Sequence, residues 1–286
     1  MRPNACLLPG DRLHLQHGPS DLIIWAEGAQ HQAYRAAAKR FETIIAEVVA
    51  ELSDLRAMLS PLARRPKGAV ARRMFDACQP FAAETYVTSM AAVAGTIADE
   101  ILATMVHSAD VSRAYVNNGG DIALHLSPGT CFRTAIKSHD GADLGQLEIA
   151  AEDGIGGIAT SGRHGRSLSL GIADSVTVLA CSAATADVAA TLVANAVDLP
   201  NHPAITRHPA SQIREDSDLG DIEVTVGCGQ LSATEKMLAL SAGQARAAAY
   251  QAKGLLSGAA LFLQGQAVAT SPQLSLTQNE QTHVPA

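Results

Sequence analysis

Apolar and polar residues alternate with period two in Arg12-Leu-His-Leu-Gln16, and the apolar run of Asp21-Leu-Ile-Ile-Trp-Ala26 follows a Gly-Pro-Ser turn, which predicts one or two short strands over 11–27. The period then changes. Ala37, Phe41, Ile44, Ile45, Val48, Val49, Leu52 and Leu55 recur at steps of three and four, predicting a long helix over 30–59. Pro61 and Pro66 mark a basic loop containing Arg64, Arg65 and Lys67. A second helix is predicted over 81–107, rich in small residues that allow tight packing against a sheet or a ligand.

Strands follow at 112–117, 121–127, 132–138, 145–151, 158–160, 166–172 and 175–180, then a helix over 183–197. Residues 200–221 read as a loop with several prolines and a run of acids. A strand is predicted at 221–226, an amphipathic helix at 232–253, and a hairpin pairing 259–263 with 266–269 across Gln264-Gly265. Strands and helices mix without a regular βαβ repeat, so the fold class is α+β, with mixed or antiparallel sheets flanked by Ala-rich helices. The expected domain runs over 1–270, and the polar tail 271–286 is expected to be disordered.

Composition narrows the chemistry. Of 286 residues, 47% are hydrophobic and 17% charged, enough for a substantial core, whereas only 3% are aromatic. Ala, Val, Leu and Ile must fill the interior, and few rings remain as a stacking platform for single-stranded nucleic acid. The formal charge of −7 argues against broad electrostatic binding to DNA or RNA.

Cys6, Cys78, Cys131, Cys181 and Cys228 are odd in number and form no CxxC pair, so reduced thiols are expected; Cys181, after a strand, reads as a buried thiol. The first residues lack the apolar core of a secretory signal. Residues 86–107 come nearest to a membrane span but are interrupted by Asp99 and Glu100. A cytoplasmic protein without a membrane partner is the expectation. The Ala-rich helices could support a dimer or trimer, although an apolar content of 47% is also ordinary for a monomer of this size.

Three segments could carry chemistry. Asn118, Gly119, Gly120 and Asp121 lie between two predicted strands; the glycines permit positive φ and expose amides to a phosphate or a ring edge, although Asn-Gly is also a leading hairpin signal. Thr160, Ser161, Gly162 and Arg163 could cradle a phosphate, with His164 and Arg166 adding donors, or could form a polar turn.

Asp187 and Thr191 share one face of the predicted helix four residues apart, where their oxygens could grip Mg²⁺ or simply cap and pair within the helix. The basic cluster Arg64, Arg65, Lys67, Arg72 and Arg73 could steer an anion or line a solvated loop. No HExxH, GxSxG, Walker A or GxGxxG motif occurs.

The order of these segments, an NxGGD turn, an ATSG segment, a VTV strand and ADxxxT on a helix, is similar to the ApbE-like superfamily over roughly residues 88–198. Its founding members are FAD:protein FMN transferases, which use Mg²⁺ to cleave FAD and attach FMN to a Ser or Thr of a target protein. The chain looks closest to a cytoplasmic branch of that superfamily.

The resemblance implies an ApbE-like α+β domain over 1–270 and a flavin-type or other phosphate-bearing ligand, FAD or FMN, with Mg²⁺ held by Asp187, Thr191 and the carbonyl of Ala94. It implies Asn118, Gly119, Gly120 and Asp121 on one side of the nucleotide and Thr160, Ser161, Gly162 and Arg163 on the other. The implied chemistry is Mg-dependent phosphoryl or FMN transfer, or FAD hydrolysis.

The chain departs from the family pattern at Gly95, where the family carries a lysine, and it lacks the His-Ile-Ile-Asp-Pro-x-Thr-Gly stretch between Gly162 and Ser175. His164 is placed to substitute as the catalytic histidine, beside Asp187. Two alternatives stand next to this reading: a binding module without catalysis, and an enzyme for another phosphorylated bicyclic metabolite such as a pterin.

Overall fold

The computed structural model describes residues 3–276. It opens with an antiparallel meander of β1 (Asn4–Leu8), β2 (Arg12–His17) and β3 (Ser20–Gly28). The first strand escaped the sequence reading because Asn-Ala-Cys-Leu-Leu has no alternation and four of its five residues are exposed.

The first helical run divides into α1 (Gln30–Ala50), which buries Ala33, Ala37, Phe41, Ile44 and Val48, and α2 (Leu52–Arg56). Between them Glu51 turns its carboxylate to the N–H groups of Lys67 and Gly68, at 2.9 and 2.7 Å, fixing the start of α3 (Ala69–Cys78). That helix was not expected, and it carries Arg72 and Arg73 of the basic cluster. The helix expected over 81–107 begins later. Short 3₁₀ turns at Gln79–Phe81 and Ser89–Ala92 precede α4 (Val93–Ser108).

Next come β4 (Val111–Asn118), β5 (Asp121–Leu126), β6 (Cys131–Lys137), β7 (Asp143–Ala150), β8 (Gly157–Ser161), β9 (Ser175–Ala180) and α5 (Ala183–Ala196). Residues 166–172, expected as a strand, form a loop whose amides bond to α5 and its end: Leu170 N–H to Asn195 Oδ1 at 3.0 Å and Ile172 N–H to the Val197 carbonyl at 2.8 Å. The expected loop over 200–221 holds β10 (Ile205–Pro209) and a short α6 (Ala210–Ile213), and β10 pairs with β11 (Glu223–Cys228).

α7 (Ala233–Ala252) and the hairpin of β12 (Gly258–Leu263) and β13 (Gln266–Ala269) follow as expected. β14 (Leu274–Leu276) corrects the expected tail: Leu274 is buried and the strand pairs with β7. The rest of that tail, 277–286, lies outside the described residues.

Nine strands form one sheet in the order β1-β2-β3-β4-β5-β8-β9-β12-β13, with every neighbouring pair antiparallel. β14, β7 and β6 make a second antiparallel sheet. Helices α1 and α4 pack with β2, β3 and β4 around Phe41, Ile44, Ile101 and Met105; α3, α5 and α7 pack with β9 and β12 around Phe81, Val193, Leu240 and Tyr250.

The small sheet closes over Ile158, Leu179 and Phe262. Alanine explains the closeness of α5. A methyl group at Gly157 of β8 would collide with the backbone at Ser182 and Ala183, so helix and sheet meet almost main chain to main chain. The stretch Ser89–Ser108 is long and apolar enough to cross a bilayer, at a mean hydropathy of 1.4, and half of that window is buried inside the molecule.

Candidate functional site

The site is built where the first turns of α4 and α5 meet. Asp187, one turn into α5, accepts a hydrogen bond from Gly95 N–H of α4 at 3.0 Å. Asp99 of α4 in turn accepts from Ala183 N–H and Ala184 N–H of α5, each at 3.0 Å. The two helices come this close because residue 95 has no side chain; a methyl group there would strike the Ala183 carbonyl. The lysine that the resemblance called for at Gly95 therefore has no room.

The β4–β5 hairpin reaches the same point. Gly119 and Gly120 adopt φ of 66° and 113°, and Asn118 pairs with Asp121 across the turn. Asn118 is buried; its amide donates to the Ala94 carbonyl at 3.1 Å and accepts from Asp21 N–H at 3.3 Å. The turn is thus a hairpin clamped onto the start of α4. Asp121 follows it, and burial pushes its carboxyl up to about 7, tempered by the Arg166 guanidinium. Burial also pushes Asp187 well above the usual carboxylate range, and the charge of Asp121 pushes it further.

These groups open onto a cavity of about 890 Å³. Arg166 lies against Gly119, where a methyl group would collide with its guanidinium, and donates to the Pro19 carbonyl at 3.2 Å. Arg214 donates to the Arg166 carbonyl at 3.3 Å, and Arg56 is held by Asp216 at 2.8 Å. Tyr86 and Thr88 are both bonded to Asp218 on the same wall, at 2.6 and 2.5 Å. Ile45, Val48, Val49, Leu52 and Met90 supply an apolar wall. The cavity has an acidic pole, an arginine rim and an apolar side.

The residues singled out in the sequence divide cleanly. Ala94, Asn118, Gly119, Asp121, Thr160, Ser161, Gly162, Asp187 and Thr191 all line this one cavity. Gly120, Arg163 and His164 do not. Gly120 donates its N–H to Asn117 Oδ1 at 2.8 Å. Arg163 turns to Asp174, at 2.9 and 2.6 Å. His164 stacks on His139, with ring centroids 3.9 Å apart, and sits 3.4 Å from Asp174; burial lowers its proton affinity. The substitution of His164 for the missing histidine is therefore corrected: the bend at Gly162 carries both side chains away from the cavity.

Arg64, Arg65 and Lys67 border a separate hollow of about 570 Å³, with Arg65 paired to Asp76. Cys181 is exposed, not buried. Arg56, Arg214 and Arg246, which line the main cavity, were missed; nothing local in the sequence distinguishes them from surface arginines.

Among the described residues no three His, Cys, Asp or Glu side chains converge as a metal site. The acidic pole nonetheless suits a divalent cation that prefers oxygen. Burial favours the protonated form of both carboxyls, the charge of Asp121 adds to the shift at Asp187, and Ala94 and Thr191 line the same cavity.

Comparison with known proteins places the chain among relatives. A family model described as AbpE bacteria matches residues 4–269. A UPF0280 protein of Methanococcus maripaludis is 39% identical over 114 residues, covering 38% of this chain and 45% of the relative. A UPF0280 protein of Methanopyrus kandleri is 36% identical over 126 residues, covering 44% of this chain and 48% of the relative. One from Methanothrix thermoacetophila is 39% identical over 129 residues, covering 45% and 52%. The chain spans about half the length of the curated relatives it matches.

Proposed function

The chain belongs to the family described as AbpE bacteria, and from that premise we propose that its cavity takes a phosphate-bearing, flavin-type ligand together with a divalent cation. The observation that carries this reading is the convergence of Asp121 and Asp187, from distant segments, at one pole of a cavity whose rim is arginine. The same reading keeps the likeness to FAD:protein FMN transferases, Mg²⁺ as the ion, and a cytoplasmic setting.

Each group has a role that follows from its chemistry. Asp187, Asp121, Thr191 and the Ala94 carbonyl would hold the cation, which when bound neutralises phosphate oxygens and charge on a leaving group. Arg166 offers its planar fork to a phosphate. Gly119 lets backbone approach the ligand without a side chain in between. The apolar wall of Ile45, Val48 and Val49 shields a ring from water.

Binding without turnover is the second reading. It is favoured by the position of His164 outside the cavity, which leaves no histidine of the predicted set at the site. A pterin-like ring is the third, since the apolar wall selects flatness rather than a named ring.

Calorimetric titration with Mg²⁺ and then FAD, FMN or a phosphorylated pterin tests the proposal. Asp187→Asn keeps an acceptor for Gly95 N–H but removes the charge, so cation affinity should fall about tenfold or more with the fold intact. Unchanged cation binding in that variant would overturn the site. Release of AMP from FAD only with Mg²⁺ selects catalysis; tight binding without products selects the module.

A further inference from the structure

The outer face of the β1–β3 meander carries a second constellation, separate from the cavity. Cys6 stands directly opposite His14 in the β1–β2 ladder, with its Sγ 3.6 Å from His14 Nδ1. The other ring nitrogen, Nε2, lies 2.6 Å from Asp21 Oδ1 on β3. Leu13 and Leu15, on either side of His14, are buried, and this fixes the imidazole on the solvent side of β2. Cys6 is exposed, and the His14 and Asp21 side chains are 29% and 53% exposed.

The order of contacts matters. A carboxylate at Nε2 accepts a hydrogen bond from Nε2–H and so favours that tautomer, which leaves the Nδ1 lone pair facing the thiol. A nucleophile within reach of a base, and the base oriented by a third group, is the arrangement that activates a thiol. Cys181 is a built-in comparison: it is also exposed, yet among the described residues no imidazole is hydrogen-bonded to it.

We propose that Cys6, His14 and Asp21 form a reactive thiol site that takes low-molecular-weight disulfides and is converted to a mixed disulfide. The Cys6 sulfur attacks one sulfur of the disulfide R–S–S–R as His14 Nδ1 takes the thiol proton. A Cys6–S–S–R bond forms and the R–S–S–R bond breaks. The departing RS⁻ receives the proton from His14 and leaves as RSH, so the Cys6 sulfur is oxidised and the leaving sulfur reduced. Asp21 acts by positioning the ring and does not touch the disulfide.

The test uses the full, reduced chain with glutathione disulfide at one fixed pH, and follows glutathionylated peptides containing Cys6 and Cys181 by mass spectrometry over time. Cys6 should react about tenfold faster than Cys181. His14→Gln should bring it down to the Cys181 rate, and Asp21→Asn should slow Cys6 while leaving Cys181 unchanged. A purely structural role for the trio would not move the ratio of the two rates. Equal rates in the unaltered chain, or an undiminished Cys6 rate in both variants, would overturn the proposal.

Discussion

Asp99 and Asp187 cap each other's helices: Asp187 sits about one turn into α5 and Asp99 nearly two turns into α4, and each accepts backbone N–H groups from the first turn of the other helix. The exchange satisfies donors that neither helix can satisfy alone, and it locks the crossing that brings Asp187 to the cavity.

The first prediction concerns that lock. Asp99 is buried and binds two amides, one with each oxygen. Asp99→Asn would set an amide NH₂ against an N–H group. Urea denaturation should show a loss of about 1–2 kcal/mol. An unchanged midpoint would show that the second bond contributes nothing.

The second is a pH dependence with a definite sign. Burial raises Asp121 to about 7, above its value in the unfolded chain. A carboxyl raised in this way favours folding below the unfolded pKa, near 4, and that stability is lost as pH rises to about 7. Asp121→Asn removes the titration. In cation-free buffer the variant should be the more stable at pH 8, by about 1–2 kcal/mol, and the two should converge near pH 4. A variant less stable at pH 8 would contradict the assignment.

The third inverts a rule. Gly→Ala inside a helix ordinarily stabilises by up to about 1 kcal/mol. Gly95 lies inside α4, yet its added methyl would strike the Ala183 carbonyl, which is backbone and cannot swing aside. Gly95→Ala should destabilise by about 3 kcal/mol in thermal or urea unfolding.

The fourth separates two neighbouring glycines. Gly119 and Gly120 both have positive φ, so alanine strains either one by roughly 1 kcal/mol. Only at 119 does the new methyl meet the Arg166 guanidinium; at 120 it enters open space. Titration with FMN should show affinity reduced about tenfold by Gly119→Ala and less than about twofold by Gly120→Ala.

Much of this protein was legible before any coordinates. A period-two run located β2, apolar runs bounded by turn residues located β3, β4, β5 and β9, and the Asn-Gly signal marked the hairpin of β4 and β5. Steps of three and four located α1 and α7. The failures have local causes. β1 is an exposed edge strand without alternation. α3 mixes arginines with core residues, so its basic side masked the buried face of Val70, Met74 and Phe75. Residues 166–172 alternate like a strand, but their amides bond to Asn195 and Val197 instead of to a neighbouring strand.

Of the residues lining the cavity, Asn118, Gly119, Thr160, Ser161, Asp187 and Thr191 were legible because a glycine turn or an i,i+4 pair leaves a local mark, whereas Ala94 came from the family resemblance alone. Direction was not legible. Arg163 and His164 stand closer to Gly162 in sequence than Arg166 does, yet they face Asp174 while Arg166 returns to Gly119.

The amino-acid sequence by itself determined the α+β class, most of its elements, and the small residues that let helices and sheet approach closely, since these follow from side-chain size and spacing. Only the tertiary structure decided that Asp121 and Asp187 line one cavity, where the charge of one bears on the other, that Arg56, Arg214 and Arg246 belong to it, and that His164 does not. Those relations depend on the angle at which α4 crosses α5 and on the path of the loop after β8, which are set by packing and hydrogen bonds between segments far apart along the chain.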